Sequence, residues 1–177
     1  MNRLLNIAVL TCVATCALSV SGRTVRVSEF GFDENDSTRF LQAAIDSGAR
    51  KVIVDWRDEG DWVVSPVVLR SSNQEIAISD GVTIRGKRNS GSDATALLTI
   101  PEGVTNVFLH GIVTAAIAAD NSGCKHALAV CGGENVTVSD LTVVSDGDEW
   151  LKESGKAKGL KIDNIIRMKP ADWPCRK

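Results

Sequence analysis

The sequence predicts a mainly β fold wound as a right-handed parallel β-helix, a solenoid with an N-terminal capping α-helix. Three observations predict it. The middle of the chain is a succession of very short β-branched runs separated by Gly, Asp, Ser and Asn. Four segments repeat one apolar-x-apolar-x-polar-apolar pattern, starting at residues 76, 107, 136 and 160, that is 31, 29 and 24 residues apart, within the period range of a solenoid coil. A single amphipathic helical segment precedes the first of them, where a solenoid needs a lid over its apolar core.

The bulk properties agree. The chain has 177 residues, 44% hydrophobic and 24% charged, with a formal net charge of −2. Those are values of a folded globular chain, not of a disordered, coiled-coil or collagen-like one. The balanced charge gives no basic surface for nucleic acid, so no nucleic-acid partner is expected.

The first element is a leader. Arg3 is followed by an uncharged run from Leu4 to Val20 and then small residues, the layout of a secretory signal peptide. Residues 1–21 are assigned to it, with cleavage after Ser21. The expected location is secreted, periplasmic or extracellular. Val13-Ala14-Thr15-Cys16 loosely resembles a bacterial lipobox, which makes lipid anchoring at Cys16 the minor alternative. The run barely reaches bilayer length, and no stable membrane span is expected once it is cleaved. Cleavage leaves Cys124, Cys131 and Cys175. Three thiols cannot all pair within one chain. Cys124 and Cys131 either close a small loop or pack as small core residues, with packing preferred. No Cys-x-x-Cys occurs and only two histidines, His110 and His126, are present, so a structural zinc site is not expected.

Residues 22–50 read as a lead-in strand and the capping helix. The helix runs from Ser37 to Ser47. Asp36 or Ser37 caps its first turn, and Phe40, Leu41, Ala44 and Ile45 form one apolar stripe. Gly48 is placed to take a left-handed backbone at the C-terminal end. Residues 51–169 are the coils. Val52–Val54, Trp62–Val64, Val67–Leu69, Glu75–Ile78 and Val82–Ile84 read as strands. The four repeats are Ile76-Ala-Ile-Ser-Asp-Gly-Val82, Val107-Phe-Leu-His-Gly-Ile112, Val136-Thr-Val-Ser-Asp-Leu141 and Leu160-Lys-Ile-Asp-Asn-Ile165. Alternate side chains point inward and stack on the next coil, so Val107/Leu109, Val136/Val138 and Leu160/Ile162 should form ladders. Gly111, Asp140 and Asn164 should sit at a turn requiring unusual backbone angles. Ile112, Leu141 and Ile165 should then re-enter the core. Residues 170–177 have no strand pattern and read as an irregular tail. A β-sandwich is disfavoured because it has no need of stacked ladders.

These motifs carry a family resemblance. Phe30-Gly-Phe-Asp33, Asp36-Ser-Thr-Arg-Phe-Leu-Gln-Ala-Ala-Ile45 and Lys51-Val-Ile-Val54 resemble the N-terminal cap of the pectate-lyase-like (pectin-lyase-fold) superfamily. Ser65–Asn73, His126-Ala-Leu128, Glu134–Val138 and Ser145–Asp148 are similar to stretches of its coils. The resemblance covers roughly residues 28–150 and implies the N-terminal portion of a polysaccharide lyase or glycoside hydrolase. It implies polysaccharide as the partner, with Ca²⁺ as a cofactor if the chemistry is that of the lyases. The chain departs from the family in its short length and in Glu149-Trp-Leu-Lys152, where Gly and apolar residues are usual. A truncated, non-catalytic solenoid with a surface-interaction role is the alternative, and an uncapped C-terminal end would favour self-association.

Cleaving a glycan requires carboxylates, one pair in a hydrolase and oxygen ligands for Ca²⁺ in a lyase. The densest acidic cluster is Asp146, Asp148 and Glu149. Asp146 and Asp148, two apart, share a face if the segment is extended. If coils stack in register, the loop before His126 lies beside this turn. The candidate catalytic residues are therefore Asp146, Asp148 and His126, with Lys125 and Glu149 as substrate-binding residues. An ordinary acidic turn and a hydrogen-bonded histidine are the plain alternatives. Asp55, Asp58, Glu59 and Asp61 form an acidic run with Trp56 and Trp62 beside them, read as a hairpin-like loop at the capped end. Asn35-Asp-Ser37 and Asn135-Val-Thr137 match the N-glycosylation pattern, relevant only in a eukaryotic secretory host.

Overall fold

The structure is a computed structural model that describes residues 22–90 and 94–173. The expected signal peptide, Cys16 and Cys175 lie outside the described residues. Among the described residues no helix is long and apolar enough to cross a membrane.

Thirteen strands pair only in parallel: β1 Thr24–Arg26, β2 Lys51–Val54, β3 Trp62–Val64, β4 Val67–Val68, β5 Gln74–Ile78, β6 Thr83–Gly86, β7 Ala96–Ile100, β8 Thr105–Gly111, β9 Ala116–Ala118, β10 His126–Val130, β11 Glu134–Val144, β12 Leu151–Glu153 and β13 Lys161–Met168. Apart from β1, which pairs with β2 across the capping helix, each strand pairs not with its chain neighbour but with the equivalent strand of an adjacent coil. The result is a parallel β-solenoid of about five turns. One wall is β1-β2-β5-β8 with the first parts of β11 and β13. The second is β3-β6-β9 with their second parts. The third is β4-β7-β10-β12.

The apolar ladders are real. On the first wall Val25, Val52, Ile76, Leu109, Val138 and Ile162 stack in register. On the second, Trp62, Ile84, Ile117 and Val143 do so. All of these except Ile162 are buried. Each such side chain removed from water contributes roughly 1.5–3 kcal/mol, so the fold is held by columns that no single coil could bury.

The first repeat sits two residues from its expected place. Val107 pairs with Gln74, and Leu109 with Ile76; Ile76 was expected opposite Val107. The first core position of that coil is polar, which hid the true start of the repeat. Gln74 is buried there because its amide donates to the Ile45 and Ala49 carbonyls at the end of the capping helix (3.0 and 2.9 Å). The true coil lengths are 33 and 29 residues, as the stacked asparagines at the corner before this wall show. Asn106 Nδ2 donates to Asn73 Oδ1 (2.8 Å) and Asn135 Nδ2 to Asn106 Oδ1 (3.1 Å). All three adopt left-handed backbone (φ 54–56°), which Asn tolerates better than other side chains. Because Asn135 spends its amide nitrogen in this ladder, glycosylation there would cost that hydrogen bond.

The next corner follows expectation at two positions of three. Asp140 (φ 55°) and Asn164 (φ 47°) are left-handed and joined by a 2.8 Å hydrogen bond. Gly111 is not left-handed. A Cβ there would lie 2.3 Å from the Asp140 carbonyl oxygen and 2.7 Å from Ala115, so close packing requires the glycine. Leu141 is buried and Ile165 packs against the core. Ile112 does not re-enter: it is 46% exposed, because this coil makes a longer corner through Val113 and Thr114, and Ala115 takes the inward place.

Helix α1, Thr38–Asp46, covers the first coil. Leu41, Ala44 and Ile45 are its buried face, Phe40 packs against the core, and Gly48 is left-handed as expected (φ 72°). The helix also completes strand edges. Gln42 Nε2 donates to the Val68 carbonyl (2.9 Å) and its Oε1 accepts from the Val68 N–H (3.0 Å), as a neighbouring strand would. Thr38 Oγ1 accepts from the Ser65 N–H (2.8 Å), and the Ser37 N–H donates to the Val63 carbonyl (2.7 Å). With β1 pairing β2 on the remaining wall, all three walls of the first coil are closed.

Candidate functional site

Coil stacking brings together the two loops that carry the sequence-predicted residues. Loop 119–125 precedes β10 in one coil and loop 145–150 precedes β12 in the next, and β10 and β12 pair. Asp146 Oδ2 accepts from the Asn121 N–H (3.0 Å). His126 Nδ1 lies 2.9 Å from the Glu149 carbonyl oxygen. A carbonyl only accepts, so Nδ1 carries a proton and donates it to this contact. Lys125 is exposed, and its carbonyl lies beside Gly147. The Asp148 carbonyl, not its carboxylate, accepts from Arg167.

The five predicted residues therefore share one neighbourhood, but the contacts they make are those of turns. Residues 146–148 form a bend, not an extended strand, so the geometry that would put Asp146 and Asp148 on one face is absent. Among the described residues no group of three or more His, Cys, Asp or Glu side chains is placed to hold a metal ion. The Ca²⁺ ligand set implied by the resemblance is not assembled there. Cys124 and Cys131 are unpaired thiols, and burial raises the Cys124 pKa above the ordinary thiol value. The Asp55–Asp61 run splits as well. Trp62 is buried, its Nε1–H donating to the Asp55 carbonyl (2.8 Å), while Trp56 is 56% exposed beside a hollow lined by Arg57, Asp58 and Glu59.

A second constellation lies on the outer face of the first wall, where sequence reasoning did not look. Two rows run along the solenoid axis. One is Thr24, Lys51, Glu75, Phe108, Thr137 and Lys161; the other is Arg26, Ile53, Ala77, His110, Ser139 and Asp163. Lys51 Nζ lies 2.7 Å from Glu75 Oε1, and His110 Nε2 lies 2.9 Å from the same oxygen. The Lys51 ammonium, and less strongly the His110 ring, hold the Glu75 carboxyl below the usual carboxylate range. The Phe108 ring stacks on His110 (centroids 4.3 Å, 20°) and is 38% exposed. An open groove of about 620 Å³ runs along this face past Arg50, Lys51, Asn73, Glu75, Asn106 and Phe108. The signal for these residues was in the sequence. They alternate with the inward residues of the repeat, and reading the outward positions as rows would have found them.

A third feature is a network on the second wall. Arg85 pairs with Asp61 (2.8 Å) and Asp120 (3.2 Å), tying three successive coils.

These features define a mainly β parallel solenoid with a polar, partly aromatic outer face. No family model matches the chain, and no curated protein matches it. Among solved structures, the chain is similar to a provisionally assigned glycosyl hydrolase from Parabacteroides merdae ATCC 43184. The TM-score is 0.42 at 16% identity, with 88% of this chain and 99% of that chain covered, a likeness too distant to transfer residues or chemistry.

Proposed function

We propose that the protein binds an extended polysaccharide along the outer face of its first wall. The observation that carries this reading is the Phe108–His110 platform, standing midway in rows that offer one side chain per coil. Parallel strands repeat about every 4.8 Å, so a polymer of similar repeat lying along the axis meets a new polar group at each coil. A half-exposed aromatic face packs against the C–H face of a sugar ring, and Lys51, Glu75, Asn106, Thr137 and Lys161 supply donors and acceptors for hydroxyls. If the chain is exported, as its first residues lead us to expect, such polymers are what it meets.

The reading is binding and not cleavage. Carboxylate pairs that hydrolyse glycosides stand roughly 5–9.5 Å apart. The two carboxylates of these rows, Glu75 and Asp163, are three coils apart, about 14 Å at the spacing of stacked strands. Glu75 is, moreover, engaged by the Lys51 ammonium and by the His110 ring.

The test is affinity electrophoresis of the protein through gels holding a panel of pectins and neutral glycans, with and without Ca²⁺. Retardation by at least one polymer, reduced fivefold or more in Phe108→Ala, is the expected result. Absence of retardation across the panel, or retardation unchanged in Phe108→Ala, overturns the reading. Release of reducing or unsaturated products in the same incubations would instead establish a cleaving enzyme.

A further inference from the structure

The corner between the first and second walls carries an apolar tip that the core does not use. Of the large apolar side chains exposed among the described residues, Ile112, Val113 and Ile166 lie here, and Val113 is 81% exposed. Val113 also holds a left-handed backbone (φ 48°), where a β-branched residue is an outlier and glycine would sit without strain. Its neighbours impose this conformation. The Thr114 N–H and hydroxyl both donate to Asp80 Oδ1 (3.1 and 2.7 Å), and Thr114 Oγ1 accepts from the Gly81 N–H (3.0 Å). On the other side the Ile112 N–H donates to the Ile78 carbonyl (3.0 Å). The chain is thus pinned on both sides of a strained aliphatic side chain that points no apolar surface into the core. Strain held in place in this way motivates a functional reading, and so does apolar surface gathered in water.

Val113 and Ile166 border a hollow of about 180 Å³ that also meets Leu141, Thr142, Asp140 and Asn164. Asp140 is exposed, and Asp163 precedes Asn164 in the chain. Neither carboxylate forms an ion pair with any described residue. The basic groups nearby are engaged elsewhere. His110 lies against Glu75. Arg167 takes the fifth position in the column of Trp62, Ile84, Ile117 and Val143, on the opposite side of its strand from Ile166, and donates to the Asp148 carbonyl. Asn164 Nδ2 and Ser139 Oγ each donate to one oxygen of Asp140 (2.8 and 2.7 Å), and these bonds hold its carboxyl below the ordinary carboxylate range. The corner therefore offers an aliphatic slot that ends at a charged carboxylate without a cation.

We infer that this corner docks a polypeptide partner through a lysine side chain, with its methylenes between Val113 and Ile166 and its ammonium at Asp140. Charge complementarity selects a cation, and the aliphatic walls select one carried on an apolar stem. Lysine suits the slot better than arginine. No aromatic face lines the hollow for a guanidinium to stack on, and a point donor needs only the lone pairs that Asn164 and Ser139 leave. Ile112 and Val113 extend the apolar surface beyond the slot, so the partner is a chain with aliphatic residues beside its lysine and not a free amine. The slot shares no lining residue with the rows proposed to bind polysaccharide and does not depend on that reading.

The experiment titrates the full chain, labelled at its methyl groups, with the peptide acetyl-Val-Lys-Val-amide and with the same peptide acetylated on the lysine nitrogen, and follows methyl NMR shifts. The expected result is saturable shifts at Val113 and Ile166, at least fivefold weaker binding of the acetylated peptide, and at least a fivefold loss of affinity in Asp140→Asn. Thermal melts establish that each variant is folded. If Asp140→Asn is not, Val113→Gly is read in its place: relief of the backbone strain should raise its melting temperature by about 2–4 °C, while its affinity falls threefold or more. No saturable shift at the corner, equal binding of the acetylated peptide, or wild-type affinity in the folded variant overturns the site. Shifts of the same methyls on simple dilution, with no peptide present, would put a second copy of this chain on the corner and overturn it too.

Discussion

The two ends of the described solenoid solve the same problem differently. At the N-terminal end every wall is closed by a specific group: β1 pairs β2, Thr38 and Ser37 serve the second wall, and Gln42 takes the place of a strand beside Val68. Under this cover Leu41, Ala44 and Ile45 are buried. At the other end β13 lies over β11 with most of its side chains exposed, Ile162 at 41% and Ile166 at 51%. Covering a solenoid end thus takes more than an apolar stripe. The unpaired backbone groups of the edge must also be answered, and the helix answers them largely with side chains. The far end has a similar column of residues but no such partners among the described residues, and there an arginine replaces the apolar side chain.

The comparison is broken most severely by Leu41→Ala. A buried leucine in a close-packed interface costs about 2–5 kcal/mol on truncation, and a thermal melt should fall by roughly 5–15 °C for a chain of this size. The matching change at the other end, Ile162→Ala, should cost less than about 1 kcal/mol, as for an exposed position. Equal losses at the two ends would contradict the asymmetry.

Gln42→Ala should cost about 1–3 kcal/mol, because it leaves the Val68 N–H and carbonyl without their partners at a half-buried edge. Denaturant unfolding with an unchanged m-value measures it. Gln42→Glu sharpens the test: the carboxylate still accepts from the Val68 N–H but cannot donate to its carbonyl, so it should recover only part of the loss.

Asn106→Ala comes next, at about 1–2 kcal/mol, from two lost ladder hydrogen bonds and a left-handed backbone that alanine resists. Asn106→Gly, which removes the backbone strain and keeps the hydrogen-bond loss, should cost less than the alanine change.

The smallest effect is on pH dependence. Lys87 and Thr38 hold the Asp36 carboxyl below its ordinary value, and Lys51 and His110 do the same for Glu75. Carboxylates so depressed contribute stability that is complete above about pH 4–5, near their unfolded values, and is lost as pH falls through the folded ones. Melting temperature should therefore hold steady from pH 7 to 5 as far as these groups decide it, and decline below about 4. Asp36→Asn should lower the plateau slightly and flatten the decline. The effect is small because both pairs are about a third or more exposed and solvent-screened.

Much of the architecture was legible because columns of Val, Ile and Leu repeat whenever one coil stacks on another. Val107/Leu109 and Val136/Val138 are expected and observed partners. Reading failed where one coil departs from the apolar rule for a local reason. Gln74 serves the helix end instead of the column, which shifted the first repeat by two residues. Ile112 belongs to a longer corner, which only the path of that coil reveals. The site was less legible. Proximity of the 119–126 and 145–150 loops followed from stacking, and the Asn121–Asp146 and His126–Glu149 contacts bear that proximity out. What those side chains do there depends on local backbone direction, which spacing does not carry. Lys51, Glu75, Phe108 and His110 come from three different coils, and they form a group only once register is known.

Native-state hydrogen exchange resolved at single amides tests the central claim most directly. The account predicts that the Ser37, Ser65 and Val68 N–H groups, answered by the cap and first coil, exchange at rates close to those of core strands β5 and β8. It predicts that β13 amides exchange markedly faster. Uniform protection along the stack, or protection of β13 exceeding that of Val68, would contradict a solenoid sealed at its N-terminal end and open over its last described coil.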